Sequence, residues 1–332
     1  MIRRLLGLAL VAMVALSPLA PAGADDDIER GLSVPGAPEL FFHRADGRSA
    51  IYETHHSGNL ARVRLARNWG RDWTHVVPVE LDGDAATELF FYNSADGLHA
   101  VRDVDASGQI SDLTPPTPWT AGWDHVVALD IDGDTTSELL VYRSDTGARV
   151  FHDLASTGAS SVINDSGGWA STWSHILPVE LDGDSGVELI LYRRTTGKRA
   201  IYNVHQSGAL AAILTAGGWA RNWSHIVPLE IDGDAGLELV FYRNDTGKRA
   251  KYHVHPSGAV QLIPLAGKWA RNWTHVVPVE LDGDTRDELL LYRADSGKRA
   301  VYDVHTSARL ILLRKVGRYA RDWQTISAAE LS

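Results

Sequence analysis

Cysteine is absent from this chain of 332 residues, and methionine occurs only twice. Without cysteine no disulfide can form, so the fold must depend on its core or on bound metal instead of cross-links. The sequence also lacks a phosphate-binding loop, a dinucleotide fingerprint and a Ser/His/Asp catalytic motif. No short motif therefore points to a familiar class of enzyme.

Long apolar runs are scarce as well. The clearest, Leu5–Leu16, has about 12 residues, whereas roughly 20 are needed to span a bilayer. Arg3 and Arg4 precede this run, and Ala22-Gly23-Ala24 is typical of a signal-peptide cleavage site. We therefore expect residues 1–24 to be a signal peptide, no membrane span, and a secreted mature chain that begins near Asp25.

Positive charge is in deficit, with 32 Lys and Arg against 42 Asp and Glu, for a net charge of −10. An acidic chain repels a phosphate backbone, so we expect no nucleic-acid partner. Residues 25–37 are acidic and then rich in Gly and Pro, which predicts a tether. The rest of the chain, residues 38–332, is expected to form one repetitive domain.

Repetition is what the sequence has in abundance. Self-similarity at a long fixed period is typical of repeat architectures. The chain enters its repeat in mid-unit at Pro38–Phe42 and leaves it in mid-unit after Trp323. Because two half-units make one whole, we expect a closed ring of six units in which Ile326–Leu331 pairs with Leu40–His43. Tryptophan marks the period of 50 residues at Trp73, Trp123, Trp173, Trp223, Trp273 and Trp323.

Each unit contains four short segments with the composition of β-strands, separated by glycine turns. Proline lies within the first segment, at Pro78, Pro178, Pro228 and Pro278, so this strand should be at a sheet edge, as is the innermost strand of a propeller blade. The second segment, such as Leu289–Tyr292, is apolar at consecutive positions, which predicts burial of both faces. The predicted fold class is all-β, a six-bladed β-propeller of four-stranded repeats.

A loop with acidic side chains at its positions 1, 3, 5 and 9 follows the first strand in five units. Oxygens at this spacing suit a hard cation that takes about six to eight oxygen ligands, and we predict structural Ca²⁺ in these loops. A plain hairpin turn is the simpler interpretation, because Asp-Gly favours turns. The predicted metal ligands are Glu80, Asp82, Asp84, Glu88, Asp130, Asp132, Asp134, Glu138, Glu180, Asp182, Asp184, Glu188, Glu230, Asp232, Asp234, Glu238, Glu280, Asp282, Asp284 and Glu288.

Asp82, Gly83, Asp84, Glu88 and Leu89, with their equivalents in four other units, resemble the Asp-x-Asp-Gly-Asp-Gly-x-x-Asp-Leu loop of FG-GAP/VCBS-type repeats. The resemblance extends over residues 38–332. It implies a calcium-binding β-propeller from a family that includes adhesion receptors, lectins and parts of polysaccharide-active enzymes. The chain departs from the family pattern at loop position 1, which is mostly Glu, at position 6, which is not Gly, and at position 9, which is Glu.

Tryptophans occur in pairs spaced four residues apart, and five histidines follow the second member by two residues. We predict that the second Trp packs between blades, that the first is partly exposed, and that the histidines are structural hydrogen-bonding groups. An exposed aromatic ring beside an arginine suits a sugar, which stacks on the ring and bonds to the guanidinium. We therefore predict repeated shallow ligand sites at Trp219, Arg221, Trp269 and Arg271.

Three functions are compatible with these patterns. The first is a secreted, lectin-like propeller that binds carbohydrate multivalently, with a glycan or another extracellular surface as its partner. The second is an adhesion or scaffold propeller. The third, a polysaccharide lyase or glycosidase, is disfavoured because catalysis needs a unique acid–base group and the units are nearly interchangeable, so we expect no catalytic activity. A unique site would lie in the divergent units, at His99, Arg102, Asp105, His152 and Asp153.

Overall fold

The computed structural model describes residues 39–329, apart from 56–57, 59, 67–68, 71, 84–85, 106–108, 185, 230, 232–236, 265–266, 282–285, 305–309 and 315–318. The predicted signal peptide and tether lie outside the described residues. Within the described part of the chain, no helix is long and apolar enough to cross a membrane.

The described residues form six antiparallel sheets of four strands each, which we number as blades. Blade 1 contains β1 (Glu39–His43), β2 (Ser49–Thr54), β3 (Leu60–Ala66) and β24 (Thr325–Ala329); blade 2 contains β4 (His75–Val79), β5 (Glu88–Tyr92), β6 (Leu98–Val104) and β7 (Ile110–Pro118); blade 3 contains β8 (His125–Leu129), β9 (Glu138–Tyr142), β10 (Arg149–Leu154) and β11 (Ser160–Asn164). Blade 4 contains β12 (His175–Val179), β13 (Val187–Tyr192), β14 (Arg199–Val204) and β15 (Leu210–Leu214); blade 5 contains β16 (His225–Leu229), β17 (Leu237–Tyr242), β18 (Arg249–Val254) and β19 (Val260–Ile263); blade 6 contains β20 (His275–Val279), β21 (Glu288–Arg293), β22 (Lys298–Val304) and β23 (Leu310–Arg314).

The two ends of the chain close the ring within blade 1. The last strand, β24, pairs antiparallel with β1, with Leu40 opposite Ala328 and His43 opposite Thr325. The first strand of each other blade contacts the first strands of the neighbouring blades, and β24 contacts β4 and β20 in the same way. These strands therefore line the centre of a closed six-bladed β-propeller, which confirms the predicted fold class and the predicted closure.

The innermost strands are sheet edges, as their prolines require. Pro78, Pro178, Pro228 and Pro278 all lie in strands that end their sheets, where a missing backbone N–H costs no ladder hydrogen bond. The strand in blade 2 ends at Val79, and beyond it the backbone N–H of Leu81 donates to the Glu88 carboxylate at 3.0 Å.

Each pair of adjacent blades shares an apolar core. The second strand of each blade is buried on both faces and contributes to the cores on its two sides. All five residues of β5 and of β9 are buried. One core joins Leu177 and Ile190 of blade 4 to Leu239 and Phe241 of blade 5. The second tryptophan of each pair lies in these cores, with exposed fractions of 2–7%, as predicted. A ring built in this way avoids the need for one large core.

Because successive strands alternate in direction, the loops divide between two ends of the ring. The acidic loops and the turns from third to fourth strands lie at one end, which we call the acidic end. The turns from second to third strands and the segments that join one blade to the next lie at the other, the connector end. Five of the six connectors are held by a tyrosine of the preceding blade, whereas blade 1 has His43 at this position. Tyr192, for example, donates from its hydroxyl to the Ala220 carbonyl at 2.7 Å and accepts from the Trp223 N–H at 3.4 Å.

Candidate functional sites

The described acidic loops of blades 2, 3 and 4 fold on their own carboxylates. In blade 3, the Asp130 carboxylate accepts hydrogen bonds from the backbone N–H groups of Asp132, Gly133 and Thr135 at 3.3, 2.7 and 3.1 Å. The closing acid, Glu138, accepts the N–H of Ile131 at 2.8 Å. The carboxylate at position 1 therefore stabilises the turn, and the carboxylate at position 9 anchors the turn to the sheet. The turn interpretation is correct for the oxygens that accept these backbone hydrogen bonds.

The remaining oxygens converge in two loops. Asp130, Asp132 and Glu138 each offer one oxygen, and these atoms lie within 4.8 Å of one another. Glu180, Asp182 and Glu188 are arranged in the same way. Glu188 is fully buried, and among the described residues its Oε1 atom has no hydrogen-bond partner. All-oxygen ligands and an orphaned buried carboxylate oxygen fit a hard cation, so these clusters could hold a metal.

The closing glutamates have perturbed acidities. Burial, together with the neighbouring loop carboxylates, raises the pKa of Glu88 to about 7 and the pKa of Glu138 and Glu188 to about 8. A buried carboxylate among other acids disfavours its charged form, and a bound cation would restore that form.

Sequence reasoning missed a polar position on the third strand, beside the closing glutamate. In blade 4 Asn203 lies opposite Glu188, and in blade 6 Asp303 lies opposite Glu288. In blade 5 the equivalent His253 bonds to Glu238 through its Nδ1 atom at 2.7 Å. The signal was available, because a polar residue occurs 15 positions after the closing Glu in all five units. The predicted ligands Asp84, Glu230, Asp232, Asp234, Asp282 and Asp284 lie outside the described residues.

The first tryptophans of the pairs are buried in four of five units, and the predicted partial exposure is wrong for them. Trp219 and Trp269 are 7% and 5% exposed. The Arg199 guanidinium carbon lies 5.0 Å from the Trp219 ring centre, and the Tyr252 ring lies 6.0 Å from it. Arg249 and Tyr302 contact Trp269 in the same way. These rings are therefore covered by protein and cannot stack on a sugar, whereas Arg221 and Arg271 are exposed.

The repeated histidines are structural hydrogen-bonding groups, as predicted, and the structure shows that they join neighbouring blades. The Nε2 atom of His175 lies 3.3 Å from the Ser224 carbonyl oxygen of the next blade, and the Nε2 atom of His225 lies 3.0 Å from the carbonyl of Thr274. Burial lowers the pKa of His175 to about 3 and that of His225 to about 4. Both rings are therefore neutral near pH 7.

The five divergent residues do not form one site. His99 and His152 stack on opposite sides of the half-buried Trp119, each with ring centres 4.4 Å from it. Arg102 pairs with Asp112 at 2.8 Å and donates to the Trp69 carbonyl at 2.6 Å. Of the other two, Asp105 stabilises a turn by accepting the Gln109 N–H at 2.8 Å, and Asp153 lies near the acidic loop of blade 3, where its charge helps to raise the pKa of Asp132.

A depression of about 430 Å³ opens between blades 2 and 3 at the connector end. The connector here has Ala121 and Gly122 where the connector from blade 4 to blade 5 has Arg221 and Asn222. Asp124 takes the place of a Ser, Thr or Gln in the other units. We call this the blade 2–3 depression; its lining includes Ser94, Ala121, Gly122, Asp124, Arg143, Ser144 and Asp145.

The polar groups of the depression are held in place. The Asp124 Oδ2 atom accepts hydrogen bonds from both the N–H and the hydroxyl of Ser144 at 2.6 Å. Arg143 lies over the Trp123 ring at 5.0 Å and donates to the carbonyls of Ala121 and Gly122. A fixed carboxylate, a fixed guanidinium and serine hydroxyls thus surround one opening.

No family model and no curated protein match the chain. Solved structures match its fold over most of its length. A protein from Lactobacillus plantarum is similar with a TM-score of 0.53 and 15% identity, over 90% of this chain and 86% of that one. At this identity the likeness shows the fold alone.

The expectation that the chain has no catalytic activity is corrected, because enzymes are among the structures with a similar fold. A periplasmic gluconolactonase from Pseudomonas aeruginosa matches with a TM-score of 0.48 and 15% identity over 86% of this chain and 81% of that one. An oligogalacturonate lyase in complex with manganese matches with a TM-score of 0.42 and 14% identity over 85% and 78%.

Proposed function

We propose that the chain is an exported, cation-stabilised β-propeller that binds carbohydrate in the blade 2–3 depression. The observation that carries this proposal is the local loss of the repeat's own side chains. Ala121 and Gly122 leave space where the connector from blade 4 to blade 5 has Arg and Asn, and Asp124 adds a carboxylate to the opening.

The chemistry of the depression suits a polyhydroxylated ligand. Sugars need acceptors for their hydroxyl protons and donors for their oxygens, and the carboxylate of Asp124 and the hydroxyl of Ser94 supply both kinds. A volume of about 430 Å³ falls in the range of small-molecule sites, roughly 300–1,000 Å³. The exposed Arg221 and Arg271 add hydrogen-bond donors at other connectors, where no aromatic ring is available for stacking.

A glycan array tests this proposal with the chain that begins at Asp25. In the double variant Ala121→Arg/Gly122→Asn, the depression is filled with side chains that the connector from blade 4 to blade 5 already carries. The matched control, Ser171→Arg/Thr172→Asn, makes the same change in the connector from blade 3 to blade 4. We expect retention of a glycan by wild type and by the control, and its loss in the filled variant. Retention by all three proteins, or by none, refutes the site.

We also propose that Ca²⁺ occupies the acidic loops and stabilises the fold. Support comes from the two three-carboxylate clusters and from the orphaned Oε1 atom of Glu188. A cation that binds only the folded state adds about 2.7 kcal/mol per site at 100 times its dissociation constant. Melting temperatures with calcium and with a chelator should therefore differ; identical values would leave only the turn role for these loops.

The same loops support a relationship to FG-GAP/VCBS-type repeats, which we propose on the basis of their position between the first and second strands of each blade. Export, with a glycan-bearing extracellular surface as the partner, completes the proposal. Cleavage near Ala24 can be tested by N-terminal sequencing of the protein recovered outside the cytoplasm.

A further inference from the structure

The outermost strands of the six blades differ sharply in charge. Each is the last strand of its sheet. β3 contains Arg62 and Arg64, and β23 ends with Arg314, without any Asp or Glu in either strand. The other four outer strands, β7, β11, β15 and β19, contain no Lys or Arg. Among the residues that form the six outer strands, Lys and Arg therefore occur only in β3 and β23.

Exposed aliphatic side chains are concentrated on the same two strands. Val63 and Leu65 of β3 are 43% and 47% exposed, and Ile311, Leu312 and Leu313 of β23 are 45%, 43% and 38% exposed. β11 and β19 each carry one such residue, Val162 and Leu262. Isolated exposed aliphatics are common on protein surfaces, but clusters usually mark an interaction site.

The two strands belong to neighbouring blades. Blades 1 and 6 share one core, in which Phe42 and Tyr52 of blade 1 pack with Tyr292 and Val301 of blade 6. β23 also leads directly into β24 of blade 1. We call β3 and β23 together the basic rim, the outer strands of two neighbouring blades, whose sequences combine aliphatic residues with arginines.

We propose that the basic rim docks on the surface of an anionic lipid bilayer. Arginines are attracted to the anionic headgroups, and aliphatic side chains enter the boundary between headgroups and acyl chains. A flat target can meet two neighbouring blades at once. The unpaired backbone groups of a sheet edge limit the depth to this hydrated boundary, because hydrocarbon would leave them without partners.

Other occupants of the basic rim fit its chemistry less well. A second copy that paired edge to edge through β3 would bring arginines close to arginines, which is unfavourable. A polysaccharide has acidic or hydroxyl groups for the arginines but no apolar surface for Leu65 or Ile311. The joint presence of cations and aliphatics therefore favours lipid over both.

Vesicle co-sedimentation tests the proposal with the chain that begins at Asp25, since all strands lie after that residue. Wild type should pellet with vesicles that contain phosphatidylglycerol and not with pure phosphatidylcholine, and added salt should release it. The variant Arg62→Gln/Arg64→Gln should bind about 30-fold more weakly, because each cation near an anionic leaflet contributes about 1 kcal/mol and 1.4 kcal/mol is a factor of ten.

Two aliphatic variants distinguish binding through the basic rim from non-specific hydrophobic adsorption to the vesicles. Val63→Ser/Leu65→Ser should also weaken vesicle binding, whereas Val162→Ser/Leu262→Ser, which removes exposed aliphatics from other outer strands, should not. Melting curves show whether each variant is folded. If the arginine variant does not fold, the salt dependence of wild-type binding still tests whether charge attraction holds the protein on the vesicle. The proposal is overturned if wild type does not bind vesicles, or binds neutral and anionic vesicles equally. It is also overturned if both aliphatic variants lose the same affinity, or if wild type binds an acidic polysaccharide but no vesicle.

Discussion

In five of the blades a single tyrosine hydroxyl holds the connector to the next blade. Tyr192 bonds at once to the carbonyl of Ala220 and to the N–H of Trp223, both in the connector to the next blade. Tyr192→Phe removes this hydroxyl, so the Ala220 carbonyl and the Trp223 N–H both lose their hydrogen bond, at a cost of about 1–3 kcal/mol in the free energy of unfolding. Urea denaturation measures this loss. Tyr202→Phe, at a half-buried tyrosine of the same blade, is the control and should cost clearly less.

Glu188 gives a charge test for the metal sites. Replacing it with Gln keeps the shape and one oxygen but removes the group that would become a negatively charged ligand. Burial raises the pKa of Glu188 to about 8, so without metal the group must either take up a proton or remain as a costly unpaired charge. We expect Glu188→Gln to be as stable as wild type or more stable with a chelator, and to gain less than wild type from calcium. Calorimetric melts measure both effects. The exposed Asp165→Asn should gain as much from calcium as wild type; an equal gain in Glu188→Gln would exclude this residue as a ligand.

Residue environments were the least predictable feature from the sequence. The second tryptophans and the repeated histidines were assigned correctly, because their positions recur beside a recognisable inner strand. The burial of Trp219 was not, since its covering groups come from different elements, Arg199 on the third strand of its own blade and Tyr252 on the next blade. Contacts between blades depend on register and on the angle between sheets, and a linear pattern does not contain them.

Strands and their roles were largely predictable. Proline located the inner edge, and unbroken apolar runs located the buried second strand. The acidic loops were predicted as elements, but not the division within them, where the carboxylate of Asp130 stabilises the turn. A polar residue recurs 15 positions after the closing Glu, but placing Asn203 beside Glu188 also requires the register of two strands.

The inner strands should make the fold sensitive to acid. His175 has a folded-state pKa of about 3, below the ordinary value of about 6.5. The unfolded chain therefore binds a proton that the folded chain excludes. As a result, the contribution of neutral His175 to the free energy of unfolding is largest above pH 6.5 and is lost as the pH falls toward 3. Between pH 7 and pH 5 the loss is about 2 kcal/mol for one such histidine.

Comparison of wild type with His175→Gln isolates this contribution from the loop carboxylates. Gln retains a donor for the Ser224 carbonyl and cannot titrate. Denaturation midpoints at pH 7 and pH 5 should show a smaller loss of stability on acidification in the variant than in wild type. Equal losses in the two proteins would mean that His175 does not titrate in this range.

The ring as a whole follows from the repeat, whereas the blade 2–3 depression does not. Five whole units and two half-units predicted a closed propeller of six blades, because a circle is the arrangement that completes the split blade. The blade 2–3 depression depends on what Ala121 and Gly122 lack, and the sequence directed attention instead to the unusual histidines, which stack on Trp119. The size of an opening follows from packing, which makes missing side chains hard to recognise in a sequence.

Closure of the ring can be tested with one proline at two adjacent positions. Ala328 aligns with the inner-strand prolines, since it lies opposite Leu40 as Pro78 lies opposite Leu89; its N–H therefore points away from the sheet. Ser327, one residue earlier, must direct its N–H toward β1. We expect Ala328→Pro to change stability by less than about 1 kcal/mol, and Ser327→Pro to cost about 2 kcal/mol or more by removing a buried ladder bond and crowding β1.

Equilibrium denaturation of both proline variants measures the difference, and size-exclusion chromatography should show association of Ser327→Pro alone, because a loosened β24 exposes the edge of β1 to other chains. If the two variants are equally stable, β24 does not support the ring through its ladder. If both are as stable as wild type, the closure contributes nothing measurable, and the propeller is held instead by the cores between its blades.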